Sequence, residues 1–267
     1  MDAELASRLA RSVRAADPDR YFSALFAPAP LRPQLFALYA FNHEVARIAE
    51  TVREPMLGAI RLEWWRETAE QAAQGMPRNH DVARGLQALF DSGKVGLAAL
   101  EGIIAARAFD ASAAHFADFA ALESYLDATG GALMRAACAI LGGDPEVAKP
   151  AALAYGLAGL LRSLPFHNNR HKLYLPLDLL AALHLTPDAF LEGGDDPRIA
   201  AAIRQTALRA REHFLAARRG PRPRAALAAI LPAALVPVYL SRLSRMRGVS
   251  IHRRQMALLS AAMKKRL

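Results

Sequence analysis

A single cysteine in 267 residues excludes an internal disulfide and fits a reducing compartment. It is Cys138, set in Ala136-Ala137-Cys138-Ala139-Ile140, where a buried, inert thiol is expected. Runs of Val and Ile at alternating spacing are missing, so no strand is expected. Long apolar runs are scarce. The longest, Ala225–Leu240, carries Pro232 and Pro237 and reads as a kinked core helix rather than a membrane span. The start, Met1-Asp2-Ala3-Glu4, lacks a charged-then-apolar leader, so no secretory signal is expected, and its acids argue against a presequence built on Arg8, Arg11 and Arg14. From Arg218 onward there are twelve Lys and Arg and no acid, within a net charge of +9. Such a basic tract suits a phosphate-rich surface. No aromatic interleaving or nucleic-acid motif accompanies it, which points away from nucleic acid and leaves an anionic membrane surface beside the plainer reading, simple solvation of an arginine-rich helix.

What the chain has is helix former. Hydrophobic residues make up 53%, much of it Ala, which favours helix throughout. Asp17-Pro18 is an N-cap with proline in the first turn, opening a short helix through Leu25-Phe26. Glu54-Pro55 separates a helix over Leu38–Glu54 from one over Met56–Gln74. In the latter, Trp64 and Trp65 point roughly 100° apart, so only one is expected to be deeply buried. Helices follow over Asn79–Phe90, Val95–Phe109 and Phe116–Leu141, the last holding Thr129-Gly130-Gly131, a pair that marks a kink or a close approach. Further helices start at Asp144-Pro145, Thr186-Pro187 and Asp196-Pro197. The helix Pro197–Arg219 ends at Gly220-Pro221, and two more follow, split near Gly248. No repeat, linker or low-complexity block appears. The reading is all-α: one domain, residues 1–267, of about ten helices.

Within Leu38–Glu54, Leu38, Phe41, Val45, Ile48 and Val52 share one helical face. His43, Arg47, Glu50 and Glu54 share another, the usual look of a surface helix. The order Tyr39-Ala40-Phe41, a charged turn, then Leu62-Glu63-Trp64-Trp65-Arg66-Glu67 resembles the squalene/phytoene synthase family. The resemblance implies an isoprenoid-synthase helical bundle around a central cavity, and head-to-head joining of prenyl diphosphates. It also implies a first aspartate motif, DDxxD, at positions that here read Ala46-Arg47-Ile48-Ala49-Glu50, beside Asn42 and His43.

The second stretch runs Leu161-Arg162-Ser163-Leu164-Pro165-Phe166-His167-Asn168-Asn169-Arg170, then His171-Lys172-Leu173-Tyr174-Leu175-Pro176. Its end is similar to the family's [GR]-x-YLP signature. Counting back from Pro176, the family's RDxxxD falls on Arg162, Ser163 and His167, so both aspartates are replaced. Prenyl diphosphate ionisation needs Mg²⁺ to gather the diphosphate oxygens, and Mg²⁺ demands hard oxygen ligands. Ala46, Arg47 and Glu50 on one wall, with Ser163 and His167 on the other, make a poor cage. No metal and no cofactor are therefore expected, with Mg²⁺ required only if the chain is an active prenyl transferase.

Several readings stay open. His167 and His171 could chelate a metal if both were helical, with His43, Glu44 or Glu50 opposite; a capping or cavity-lining histidine is the plainer reading. Arg162 and Arg170 are either remnants of diphosphate recognition or partners of Glu44 and Glu50 closing an old cavity, the pairing being preferred. Tyr39, Phe41, Phe166 and Tyr174 are candidates for a cavity lining, or ordinary core.

Ala40-Phe41-Asn42, Glu44, Arg61-Leu62, Trp65, Leu161-Arg162, Pro165-Phe166-His167, Arg170 and Leu175-Pro176 together resemble the family's degenerate branch of complex I assembly factors. That resemblance implies a non-catalytic protein whose partner is a respiratory complex subunit or assembly protein. It implies a cytoplasmic location with peripheral contact at the inner membrane, on the matrix side in mitochondria. The alternatives are an active prenyl transferase with a rearranged site, or a lipid- or isoprenoid-binding module.

Overall fold

The computed structural model describes residues 1–52, 54–221, 224–243 and 249–267. The expected split near Gly248 lies outside the described residues. Among those described, every regular element is helical.

Helix α1 (Ala3–Ala16) begins on Asp2, whose carboxylate accepts from the Leu5 amide at 2.7 Å. Leu5, Leu9 and Val13, spaced by four, bury one stripe of it. Arg8 on another face forks onto Asp81 at 2.8 and 3.0 Å. Its arginines therefore belong to a packed helix. Helix α2 (Pro18–Ala24) starts as expected on Asp17, whose side chain accepts from the Arg20 amide at 3.0 Å.

Helix α3 (Arg32–Ala46) is apolar nearly all round, with every residue from Leu35 to Asn42 buried. A helix hydrophobic on all sides belongs in an interior, so its first half is not the one-stripe surface helix that Leu38–Glu54 suggested. That helix is also not continuous. It ends at Ala46 and resumes as the short α4 (Ile48–Thr51), after which Val52 is extended. Arg47 at the break carries neither proline nor glycine, and nothing in the structure explains the interruption. Helix α5 (Pro55–Ala73) turns Leu62, Trp65, Ala69 and Ala72 inward and leaves Trp64 exposed. Phe41 meets Trp65 edge to face at 5.9 Å, fastening α3 to α5. Helices α6 (Asp81–Asp91) and α7 (Leu97–Arg107) complete this half of the core.

The long helix expected over Phe116–Leu141 is two, α8 (Phe119–Leu126) and α9 (Ala132–Ile140), joined by a π turn over Asp127–Gly131. Arg135 holds the turn by donating to Asp127 Oδ1 at 2.5 Å and to the Asp127 carbonyl at 3.0 Å. A Cβ on Gly131 would lie 2.4 Å from Asp127 Oδ1, so this glycine makes room for that carboxylate. Cys138 on α9 is fully buried, and burial pushes its thiol up to about 12, as an inert thiol requires.

Helix α10 (Ala148–Arg162) is buried on most of its surface and lies along α14 (Pro197–Arg219). A Cβ on Gly156 would stand 3.0 Å from Leu126, so α8 and α10 approach closely there, whereas Gly159 has open space. The short α11 (Leu164–Asn168), α12 (Leu177–Ala182) and α13 (Pro187–Glu192) build a second core cluster with the start of α14. The apolar run after Arg224 does not form one kinked helix. It divides into α15 (Leu227–Ile230), a 3₁₀ turn over Leu231–Leu235 and α16 (Val236–Leu240), with Pro232 and Pro237 each opening a new piece. Helix α17 (Ile251–Met263) packs on that 3₁₀ turn and on α2. No helix among the described residues is long and apolar enough to cross a membrane.

Candidate functional site

The two degenerate motifs end two helices. Asn42 is buried near the end of α3, and its Oδ1 has no hydrogen-bond partner. His43 and Ala46 are half-buried, and Arg47 and Glu50 are exposed. Arg47 sits 3.6 Å from Glu44, one helical turn away. It lines a cleft of about 270 Å³ with Glu44, Ile48, Thr51, Arg61, Trp64, Trp65 and His80. No residue of the second motif reaches that cleft.

Arg162 closes α10, Ser163 follows, and Pro165 stands in the first turn of α11. Proline lacks an amide hydrogen, so it ends one helix and starts the next. His167 lies on α11 with its ring 4.6 Å from the Tyr174 ring, and burial first of all lowers its pKa below the ordinary 6.5. His171 lies past the helix with φ at +50°, which separates it from His167. Arg170 is exposed and covers the Phe166 ring at 4.8 Å. Phe166, a candidate for the cavity lining, is a surface residue, 42% exposed. Tyr39 and Phe41 are buried in the main core cluster. Tyr174 is buried and donates its hydroxyl to Asp110 at 2.8 Å.

The preferred pairing of Arg162 and Arg170 with Glu44 and Glu50 is not what forms. Arg162 turns instead to Asp19 on α2, a carboxylate only 2% exposed. Asp19 is a hub. Its Oδ2 accepts from the Tyr155 hydroxyl at 3.0 Å, from Arg162 Nη1 at 3.4 Å and from the Tyr239 hydroxyl, while Oδ1 accepts from Arg254 Nη1 at 2.7 Å. Arg162 Nη1 also donates to the Tyr239 oxygen at 2.9 Å. Helices α2, α10, α16 and α17 are thereby tied at one point. Beside the hub, Asp17 and Arg20 pair at 2.5 Å, with the guanidinium 5.3 Å from the Tyr155 ring centre. Burial, then the charge of Asp19, pushes the Tyr239 hydroxyl well above its ordinary pKa, so it stays a donor.

Asp110 forms a second hub. It accepts from Tyr125 at 2.6 Å and from Tyr174 at 2.8 Å, and pairs with Arg107 at 3.0 Å. Lys172 caps the same region by donating to the carbonyls of Phe109 at 3.1 Å and Ser112 at 2.5 Å. Arg162 and Tyr174 were among the candidate site residues, but Asp19 and Asp110, the carboxylates at the two centres, were not. The available signal was Tyr239, a lone phenol in an otherwise apolar run, whose hydroxyl needs a partner once buried.

Chemically, both hubs are closed sets in which the carboxylate oxygens are taken up by hydrogen-bond donors. Among the described residues, no three His, Cys, Asp or Glu side chains gather as metal ligands. The side chains at the motif positions do not fit a magnesium-diphosphate cluster: one exposed glutamate, a serine and a half-buried histidine supply too few hard oxygens.

The squalene/phytoene synthase family model matches residues 13–260. The chain belongs to this family. Its fold agrees with solved members. A dehydrosqualene synthase superposes with a TM-score of 0.79 at 15% identity, covering 98% of this chain and 96% of that one. A squalene synthase from Alicyclobacillus acidocaldarius gives 0.71 at 19% identity, covering 99% and 97%. Among curated relatives, the human "NADH dehydrogenase (ubiquinone) complex I, assembly factor 6" is 29% identical over 77% of this chain and 63% of its own length. The Bos taurus protein of the same name is 28% identical over 87% of this chain and 72% of its own. The chain thus spans less than two thirds of the human relative it matches.

Proposed function

We propose that this member of the squalene/phytoene synthase family is non-catalytic and acts in the assembly of respiratory complex I. It would work beside the membrane in which the complex is built, in contact with a complex subunit or another assembly protein. The observation that carries the reading is the pairing of two facts. The named curated relatives are complex I assembly factors, and the positions that resemble the family's two aspartate motifs read Ala46, Arg47 and Glu50, and Ser163 and His167, in this chain. A scaffold that keeps its packing while its ligand positions become Ala46, Arg47, Ser163 and His167 offers surface and shape rather than ionisation chemistry.

The test is genetic. Deleting the gene is expected to lower the level of assembled complex I and its NADH oxidation, and re-expressing the chain should restore both. Normal complex I in the deletion strain would overturn the proposal.

A further inference from the structure

Helix α17 has two opposed sides. Its inner side is fixed by Arg254 on Asp19, with Leu258 and Ala261 buried between them and the rest of the core. At 100° per residue, Met256, Leu259 and Met263 fall on the opposite side, together with His252. These three apolar side chains are 64%, 40% and 74% exposed. Arg253, Lys264, Lys265 and Arg266 are also exposed, and no acid occurs on this helix or anywhere after Glu212. An outward apolar row with cations on its flanks and no negative charge is the make-up of a helix lying in a bilayer interface. The row of exposed apolar residues on α5 (Met56, Ile60 and Trp64) differs, because its flank carries Glu63, Glu67 and Glu70, which pair with Arg66 and Arg78 and leave no excess of cations there.

We propose that the outer face of α17 is a membrane-docking surface that takes an anionic bilayer, with Met256, Leu259 and Met263 entering the acyl boundary and the flanking cations meeting lipid phosphates. The inference deepens the assembly reading by naming the surface through which the chain meets the membrane. Charge complementarity chooses the occupant. The Arg254–Asp19 contact supplies the rigidity, since it holds the inner side of α17 to the core and leaves the outer side presented.

The test is flotation of the full chain with phosphatidylcholine vesicles, with and without phosphatidylglycerol. Binding is expected only to the anionic vesicles, and it should weaken as salt is raised. The combined Met256→Ser, Leu259→Ser and Met263→Ser variant should lose about tenfold or more in vesicle affinity. The combined Lys264→Gln, Lys265→Gln and Arg266→Gln variant should lose a comparable amount. Met56→Ser with Ile60→Ser should bind as the parent does. Circular dichroism and melting of each variant separate lost docking from lost folding. Absence of anionic vesicle binding by the parent would overturn the proposal, as would parent-like binding by the folded α17 serine variant. So would equal binding by the parent to neutral and anionic vesicles. Restoration of complex I in cells by a variant that no longer binds vesicles would leave the assembly reading standing. Normal complex I in the deletion strain would remove that reading without touching the vesicle result.

Discussion

At the scale of single residues, Asp19 has the largest expected effect. It is a buried carboxylate satisfied by two guanidinium groups and two phenols. Removing one partner of such a set leaves charge uncompensated in a poorly hydrated place, which costs about 3–5 kcal/mol. Arg162 is nearly half exposed and can rehydrate, so Asp19→Asn is expected at the lower end, about 3 kcal/mol by urea unfolding. A double-mutant cycle with Arg254→Gln should show coupling of about 1 kcal/mol or more. Additive effects would mean that the hub contributes no cooperative energy. His167 gives a pH signature. Burial lowers its folded pKa below the ordinary 6.5, so between those two values the unfolded chain binds a proton that the folded chain does not. Stability from this group is therefore full above about 6.5 and falls as the pH drops through that window. His167→Gln should flatten that part of the stability curve. An unchanged slope would show that the histidine titrates normally.

At the scale of elements, the π turn between α8 and α9 reverses a familiar rule. Replacing a helical glycine with alanine ordinarily stabilises by up to about 1 kcal/mol. Gly130 has open space where a Cβ would go, so Gly130→Ala should follow the rule. At Gly131 the new Cβ would meet Asp127 Oδ1 at 2.4 Å and Arg135 at 3.3 Å. Gly131→Ala should instead destabilise by about 1 kcal/mol, the typical lower cost of overpacking. Thermal melts of the two variants moving in the same direction would contradict this account of the turn. Phe41, fully buried against Trp65, should cost about 3–5 kcal/mol on replacement by alanine.

The elements also show which signals a sequence carries. Asp17-Pro18, Thr186-Pro187 and Asp196-Pro197 were readable as helix starts because each cap bond is made within three residues. Helix α14 runs over the whole of Pro197–Arg219 for the same local reason. The π turn depends on Arg135 reaching back eight residues, and the division of the run after Arg224 depends on where each proline falls relative to the core. The hubs were out of reach of periodicity, since Asp19 finds Tyr155 and Arg254 at separations of 136 and 235 residues.

At the scale of the whole molecule, family membership was legible because motif order survives even where motif chemistry has changed. The Tyr-Ala-Phe start and the Tyr-Leu-Pro close place the two altered motifs in register, and the family match over residues 13–260 agrees. The detailed shape of the site was not legible. Arg162 turned to α2 instead of α3, and Phe166 came to the surface, because those outcomes are decided by packing between distant helices. The resulting picture is a family scaffold in which Arg47 and Arg162 meet the chain's own carboxylates, Glu44 and Asp19, and in which the motif positions offer little oxygen for magnesium.

That picture is tested most directly by thermal unfolding in the presence of Mg²⁺ and a non-hydrolysable farnesyl diphosphate analogue. Ligand that binds the folded state at a hundredfold its Kd would add about 2.7 kcal/mol and raise the midpoint by several degrees. No Mg²⁺-dependent shift is expected for this chain. A clear rise that requires both Mg²⁺ and the diphosphate, and that Glu50→Gln or His167→Gln abolishes, would contradict the account.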